Sequence, residues 1–482
     1  DRSAGAQPSR LQQVAAPSSM PALLAAAAGG SSGWDGSRRL TAGALAVQLC
    51  LSWMAFSSTY VIFPDMVLRE ECEGLGIPEV QCNSQHAGFS EAQARQTQFM
   101  TDYLLLTNLP AACLCALFSH LSDVLGRKPL LLLPACQGIA AYGLIAWQGV
   151  RRAEVYAAIV VLNFFGSIYV VNGTVFASGA DITTHRPQNE RARLFGRLES
   201  CCWLGQLLGP PCGGAVANMV GPQRAFAVAT AISVITLLIT ALLLPETHPR
   251  EGRSPFAWQK ANPLGGLFVA CRFPSCIPLA VGLLFAQWGI SSGVTTWPFF
   301  CKSVFDWSDE AIGALESVFF AANAVGLLFC LPCLAGRLQP KAIILVAGAS
   351  AVLMWGLFVC SSAGWQLFAI ACMGAANAMM YPLLRTSLAC ALGPQLHGAA
   401  LGIVALVELL CQLGAPAAAT ETWHWLKTQA WPDAIAFGVV AAEVAVALTI
   451  FSCVPSRALT TEQSVPPTGI RYNDAEVSHQ EE

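Results

Sequence analysis

The chain has 482 residues, of which 55% are hydrophobic and only 11% charged, with a formal net charge of -3 and a mean hydropathy of +0.54. That is too little charge to cover a water-soluble globule of this size, so the composition places the chain in a lipid bilayer, and no basic tract points to a nucleic-acid partner.

In chain order, residues 1–36 are small, polar and rich in Ala, Gly and Ser, and they read as a disordered tail in which Met20 is a candidate start. The apolar "PALLAAAAG" within it is too short to span and lacks the flanks of a cleaved signal, so the first long apolar run directs insertion itself. Crossing the hydrocarbon core takes roughly 20 apolar residues. Runs of that length are expected at 40–64, 97–119, 129–149, 154–178, 197–219, 223–245, 276–298, 311–334, 342–362, 365–388, 398–418 and 433–454. These are spans 1 to 12. They fall into two groups of six, residues 37–245 and 266–455, joined by a polar linker at 246–265 and followed by a disordered tail at 456–482. Each group carries a basic turn after its second span, "DVLGRK" and "AGRLQPK". The fold class read from this pattern is all-α and membrane-embedded, with twelve spans in two six-helix repeats, an arrangement that places a solute site near the midplane between the repeats.

Lys and Arg set the orientation. With the amino terminus in the cytoplasm, most of them, among them Arg127, Lys128, Arg337, Lys341 and Arg385, lie on the cytoplasmic side, and fewer, such as Arg151, Arg152 and Lys302, lie opposite. A multi-pass protein with both termini cytoplasmic is expected. Most of the 19 cysteines sit inside spans, where they act as small packing residues. Cys72, Cys82 and Cys301 fall on the other face, where a disulfide among them can form if that face is oxidising, and all three pairings stay open. The Asn172-Gly-Thr174 sequon lies inside span 4 and is not expected to be glycosylated. No residue set indicates a nucleotide site, a metal site, a cofactor, or a nucleophile with its base, so an enzyme is not expected.

Two stretches carry more information. In "HLSDVLGRKPLLLL", residues 120–133, Gly126 allows a tight turn, Arg127 and Lys128 anchor the cytoplasmic face, and Asp123 ends span 2 where an acid needs a partner. Alone, this is an ordinary hairpin between two helices. In "GRLESCCWLGQLLGPPCGG", residues 196–214, small residues recur at a spacing that lets span 5 approach a neighbour closely, and Pro210 bends it. Packing without transport is the plainer account of that stripe.

Taken together they resemble the major facilitator superfamily. Asp123, Gly126, Arg127 and Lys128 match its loop pattern G-x-x-x-D-x-x-G-R-K/R, with Ser119 where the family has Gly. Gly196, Gly205, Gly209, Pro210, Gly213 and Gly214 match every fixed position of the antiporter motif G-x8-G-x3-G-P-x2-G-G. "DITTHRPQNERARLFG" from Asp181, "LLPET" ending at Thr247, "NPLGGL" and "VFDWSDEAIG" are similar to tetracycline/proton antiporters and their eukaryotic relatives, and the long first loop with its cysteines resembles the proton-coupled folate transporter group. The resemblance covers roughly residues 40 to 455. It implies that Asp123 sits by the amino end of the helix beginning near Gly398, that Arg127 pairs with Asp181, and that this cluster is a conformational latch and not a solute site. The chain departs from the tetracycline antiporters in two places. Span 1 offers Ser52, Trp53, Ser57 and Ser58 but no acid, and the arginine of span 4 is replaced near Leu162 or Asn163.

Proton coupling therefore falls to other acids within the spans, because ionisable residues at membrane depth are costly and functional by default. Glu408 is central to span 11 and shares a face with Gln412. Its plainer role is a hydrogen bond to a neighbouring helix. Asp102 lies in the outer third of span 2, where it serves either proton access or the interface. Glu443 falls in span 12, which the resemblance implies is peripheral, and reads as structural or as lying at the lipid interface. Thr107, Asn108, Asn163, Gln287, Asn323, Asn377, Tyr381 and Gln412 are candidate lining for a polar, mostly neutral cavity suited to a small organic solute, or links between helices. Three functions follow: a proton-coupled antiporter of a small organic solute, a proton-driven importer of one, or a receptor on the same fold that binds without translocating.

Overall fold

The computed structural model describes residues 36–60, 62–78, 88–149, 168–184, 186–250, 253, 255–256, 258–261, 276–307, 309–392 and 397–456. Among the described residues every regular element is helical. The amino-terminal set comprises α1 (Gly36–Tyr60), α2 (Ile62–Gly74), α3 (Phe89–Leu125), α4 (Arg127–Gln148), α5 (Ile168–Ile182), α6 (Gln188–Val220) and α7 (Pro222–Leu243). After the short α8 (Trp258–Ala261) comes the carboxy-terminal set: α9 (Cys276–Phe305), α10 (Asp309–Val325), a π turn at Gly326–Cys330, α11 (Leu331–Ala335), α12 (Pro340–Val359), α13 (Gly364–Ala371), α14 (Gly374–Asn377), α15 (Met380–Leu392), α16 (His397–Thr428) and α17 (Ile435–Cys453).

Nine described helices are long and apolar enough to cross a membrane, and the bent pair Leu106–Cys115 and Leu117–Leu125 makes a tenth. The other two expected spans fall on α5, described only from residue 168 onward, and on α6, whose glycines, prolines and Gln206 dilute its apolar content. Such a helix belongs against protein and not against lipid. Each set packs its own core. Leu45, Val175, Phe176, Phe195 and Leu198 are buried together in the first, and Trp297, Phe319, Trp355, Phe358 and Phe437 in the second.

Two of the expected spans are not regular α-helix throughout. Span 8 is interrupted by the π turn, and span 10 is divided into α13, α14 and α15. The interruptions meet, because a side chain at Gly326 would run into the backbone of Ala375, and one at Gly374 would press on Phe319 and Asn323. Irregular backbone at membrane depth is tolerated where protein buries it.

The basic turns of the two sets correspond. Lys128 Nζ donates to the Ala241 carbonyl at the end of α7 (2.7 Å), and Lys341 Nζ donates to the Ser452 (2.8 Å) and Val454 (2.6 Å) carbonyls at the end of α17. In both cases a cation satisfies carbonyls that a helix terminus leaves without partners.

Of the three cysteines on the far face, Cys72 is disulfide-bonded and Cys301 is a free thiol, which removes both pairings that use Cys301. Cys82 lies outside the described residues, as do the expected tails up to residue 35 and from 457.

Candidate functional site

Helix α6 is the spine of the site. Gly205, Gly209 and Gly213 recur every fourth residue and press on α1, where any side chain would strike the backbone of Cys50, Met54 or Ser58, and Ser57 Oγ donates to the Gly205 carbonyl at 3.0 Å. With that stripe on α1, helical spacing turns Glu199 and Trp203 the opposite way, toward the carboxy-terminal set.

There Glu199 meets Arg385 of α15. The guanidinium donates through Nη1 to Glu199 Oε2 and through Nη2 to Glu408 Oε1 of α16, and it lies 4.4 Å from the ring centre of Phe176 on α5. Glu199, Arg385 and Glu408 are 7%, 4% and 5% exposed, so water does little to screen them. Desolvating three ionic groups is costly, and their mutual geometry must offset it. Arg385 is therefore not a cytoplasmic anchor, as its place in the count of basic residues implied. It is the hub of a buried triad in which the amino-terminal set supplies one acid and the carboxy-terminal set supplies the other. With all three ionised, the cluster holds one net negative charge.

One turn along α6 from Glu199, the Trp203 ring lies 6.2 Å from that of Phe319 and 5.7 Å from that of Phe320, both on α10. Buried polar atoms without hydrogen-bond partners line the same region: Trp203 Nε1, Asn323 Oδ1 and Asn377 Oδ1. On the side of the triad toward the basic turns the sets close on each other. Gly196 of α6 abuts Leu331, Arg193 lies over Gly336, and Arg191 Nη1 reaches Cys390 Sγ at 3.3 Å.

The charged turn after span 2 is a separate construction. Arg127, 2% exposed, donates through Nη1 to Asp123 Oδ1 (2.6 Å) and Ser122 Oγ (2.5 Å), and through Nε to Asp181 Oδ2 at the end of α5 (2.9 Å). Gly126 has φ +105°, open to glycine and strained for other residues, and a side chain there would displace Glu246 and Arg253. Glu246 accepts the backbone N–H groups of Arg127 (2.8 Å) and Lys128 (3.2 Å), capping the amino terminus of α4. In the sequence Glu246 is only a residue of "LLPET"; its capping task arises because α7 ends beside the start of α4. All these partners belong to residues 122–253, within the amino-terminal set and the segment after it. The side chains around Gly398, where Asp123 was expected to dock, lie outside the described residues.

Other expected residues scatter. Asp102 is exposed on α3 and is not brought to the triad. Asn163 lies outside the described residues, and Asn108, Gln287 and Gln412 are partly buried. Thr107 donates to the Tyr103 carbonyl (2.8 Å), and Tyr381 Oη donates to the Ala286 carbonyl (3.4 Å), a link between α15 and α9. Glu443 packs beside Gly289 of α9 with one carboxylate oxygen unpartnered. In the antiporter motif, Pro210 lies inside an unbroken α6, while a side chain at Gly214 would meet open space, so that position is not needed for packing. Among the described residues no group of His, Cys, Asp and Glu is placed to hold a metal ion. Sequence inspection missed Glu199 and Arg385, although each is an ionisable residue within an expected span, the same signal that singled out Glu408.

Comparisons with known proteins agree with this architecture. The family described as Major Facilitator Superfamily matches residues 45–416. The chain is 27% identical to the class C tetracycline resistance protein of Escherichia coli over 65% of this chain and 79% of that protein. It is 21% identical to the human Hippocampus abundant transcript 1 protein over 62% of this chain and 61% of that one. Among solved structures, the human organic anion transporter MFSD10 (TETRAN) superposes with a TM-score of 0.67 at 18% identity, covering 86% of this chain and 99% of that one. The proton:xylose symporter XylE superposes with a TM-score of 0.65 at 13% identity, covering 87% and 97%. With its helical architecture and its match over most of the spans, the chain belongs to the major facilitator superfamily.

Proposed function

We propose that this transporter of small solutes exchanges a small organic solute for protons by alternating access, with the Glu199–Arg385–Glu408 triad as the coupling site. The observation that carries the reading is that one buried arginine is shared between carboxylates from the two helix sets. While both acids are ionised, Arg385 ties the sets together. A proton on Glu199 cancels the surplus negative charge and frees the arm of the arginine that crosses between the sets, leaving Arg385 paired with Glu408 in its own set, so the sets can separate without an exposed charge at membrane depth, where a charge costs roughly 2.5 kcal/mol or more. The kinship with tetracycline resistance proteins supports antiport, and the positive-inside rule turns the end bearing Arg127, Lys128, Arg337 and Lys341, with both chain termini, to the cytoplasm.

The test uses purified protein in proteoliposomes, with solutes taken from a panel screened for uptake and efflux. Glu199→Gln mimics the protonated state, so solute-for-solute exchange persists while accumulation driven by a pH gradient disappears. Glu408→Gln also loses gradient-driven accumulation if the two acids share the proton. Retention of gradient-driven accumulation in both variants moves coupling away from the triad. The disulfide at Cys72, near the end of α2 in the segment whose cysteines carry the likeness to the folate transporter group, favours proton-driven import as the second reading. The direction of solute flux under an imposed pH gradient separates the two.

A further inference from the structure

Glu316 of α10 has no part in the triad, and its surroundings are unusual for a carboxylate inside a membrane helix. It precedes Phe319, Phe320 and Asn323 by three, four and seven residues, so helical geometry puts all four on one face. That face meets Trp203 of the opposite helix set, as the ring contacts of Phe319 and Phe320 show. Glu316 sits one turn farther from the closed basic end than those rings. It is only partly buried, so water reaches it, and among the described residues no hydrogen bond or ion pair engages its carboxylate. A carboxylate at this depth is costly without a counter-charge. Among the described residues none is paired with it: Arg385 is already taken by two acids, and the triad adds a further net negative charge.

We propose that Glu316, with the rings of Trp203 and Phe320, binds an aromatic organic cation such as an arylalkyl amine. The ammonium group pairs with Glu316, the ring lies against Trp203 and Phe320, and the faces of those rings attract the cation as well. The unpartnered Asn323 and Asn377 amide oxygens, each in a residue 1% exposed, are acceptors for N–H donors of the ligand, and Trp203 Nε1 is a donor for any ring acceptor. An anionic solute finds the opposite of what it needs, because its charge would be desolvated against surplus carboxylate. This site deepens the transport reading above by naming its solute class, and it rests on that reading only for the step of translocation.

The experiment is equilibrium binding to the full chain in lipid nanodiscs near neutral pH, without any gradient, using three probes that share one ring system: 2-naphthylmethylamine, 2-naphthylmethanol and 2-naphthoate. The amine should bind on the order of tenfold more tightly than the alcohol, the usual gain from a charge-assisted pair, and the naphthoate should bind most weakly. Glu316→Gln should reduce the amine to the affinity of the alcohol and leave the alcohol unchanged. Glu316→Asp, which keeps the charge, should preserve the order, and thermal unfolding of each variant shows that it is folded. The proposal is overturned if the alcohol or the naphthoate binds as well as the amine, if Glu316→Gln keeps the preference, or if the amine shows no saturable binding. Because no proton gradient enters the measurement, failure of proton coupling leaves this result intact, and failure here leaves the coupling experiment intact.

Discussion

Arg127 and Arg385 are both buried arginines held by two carboxylates, yet one works within a helix set and the other between sets. Around Arg127, Asp123, Asp181 and the capping Glu246 tie the ends of α3, α4, α5 and α7 into one rigid corner. Around Arg385, Glu199 arrives from the other helix set. The same chemistry therefore has two mechanical meanings. An ion pair inside one rigid body stabilises that body and cannot by itself report which way the transporter faces, whereas a pair across the boundary must break when the bodies part. The carboxy-terminal counterpart of the Arg127 corner sharpens the point. There Lys341 keeps the carbonyl-capping task of Lys128, but Arg337 is exposed and among the described residues no buried network forms around it.

Removing Arg385 tests the boundary pair most severely. Arg385→Ala leaves two buried acids facing each other, and breaking a buried ion pair from one side costs about 3 to 5 kcal/mol. Thermal unfolding in nanodiscs should show that loss, and adding Glu199→Gln and Glu408→Gln to the same chain should recover much of it. No recovery would mean that Arg385 acts by packing on Phe176 and not by charge.

A purely steric change in the amino-terminal set comes next. Gly209→Leu forces α6 off α1, because the new side chain collides with Ser57 and the Met54 carbonyl, and overpacking of this kind costs about 1 to 3 kcal/mol. Unfolding should move to lower temperature and transport should fall. Wild-type values for both would show that the close approach of the two helices is dispensable.

Asp123→Ala probes whether the Arg127 corner also engages α16. Asp181 still holds Arg127, so the stability loss should be about 1.5 kcal/mol, the low end for a hydrogen bond between charged groups. If Asp123 docks on α16, labelling of cysteines introduced at the basic end should rise with folding intact; unchanged labelling confines the corner to its own set. The smallest effects belong to the half-buried lysine caps. Lys128→Ala and Lys341→Ala should each cost about 0.3 to 1 kcal/mol, and alike, since each only satisfies a helix terminus. A much larger loss for Lys128 would show that the whole corner depends on it.

The sequence alone determined the membrane environment, the run of apolar spans, the two basic turns, the small-residue stripe of α6 and the weight given to Glu408, because these follow from composition and local spacing. It did not reveal that Asp102 stays at the surface, that spans 8 and 10 are interrupted where Gly326 meets Ala375, or that Arg385 faces inward. Charge counting treats every arginine near a span end as an anchor, since in one dimension an arginine bound to lipid headgroups and one bound to two acids look the same. Only the tertiary structure decided between them. Glu199 and Glu408 are 209 residues apart, and what makes them one site is the packing of α6 against α15 and α16, which puts a single guanidinium within reach of both.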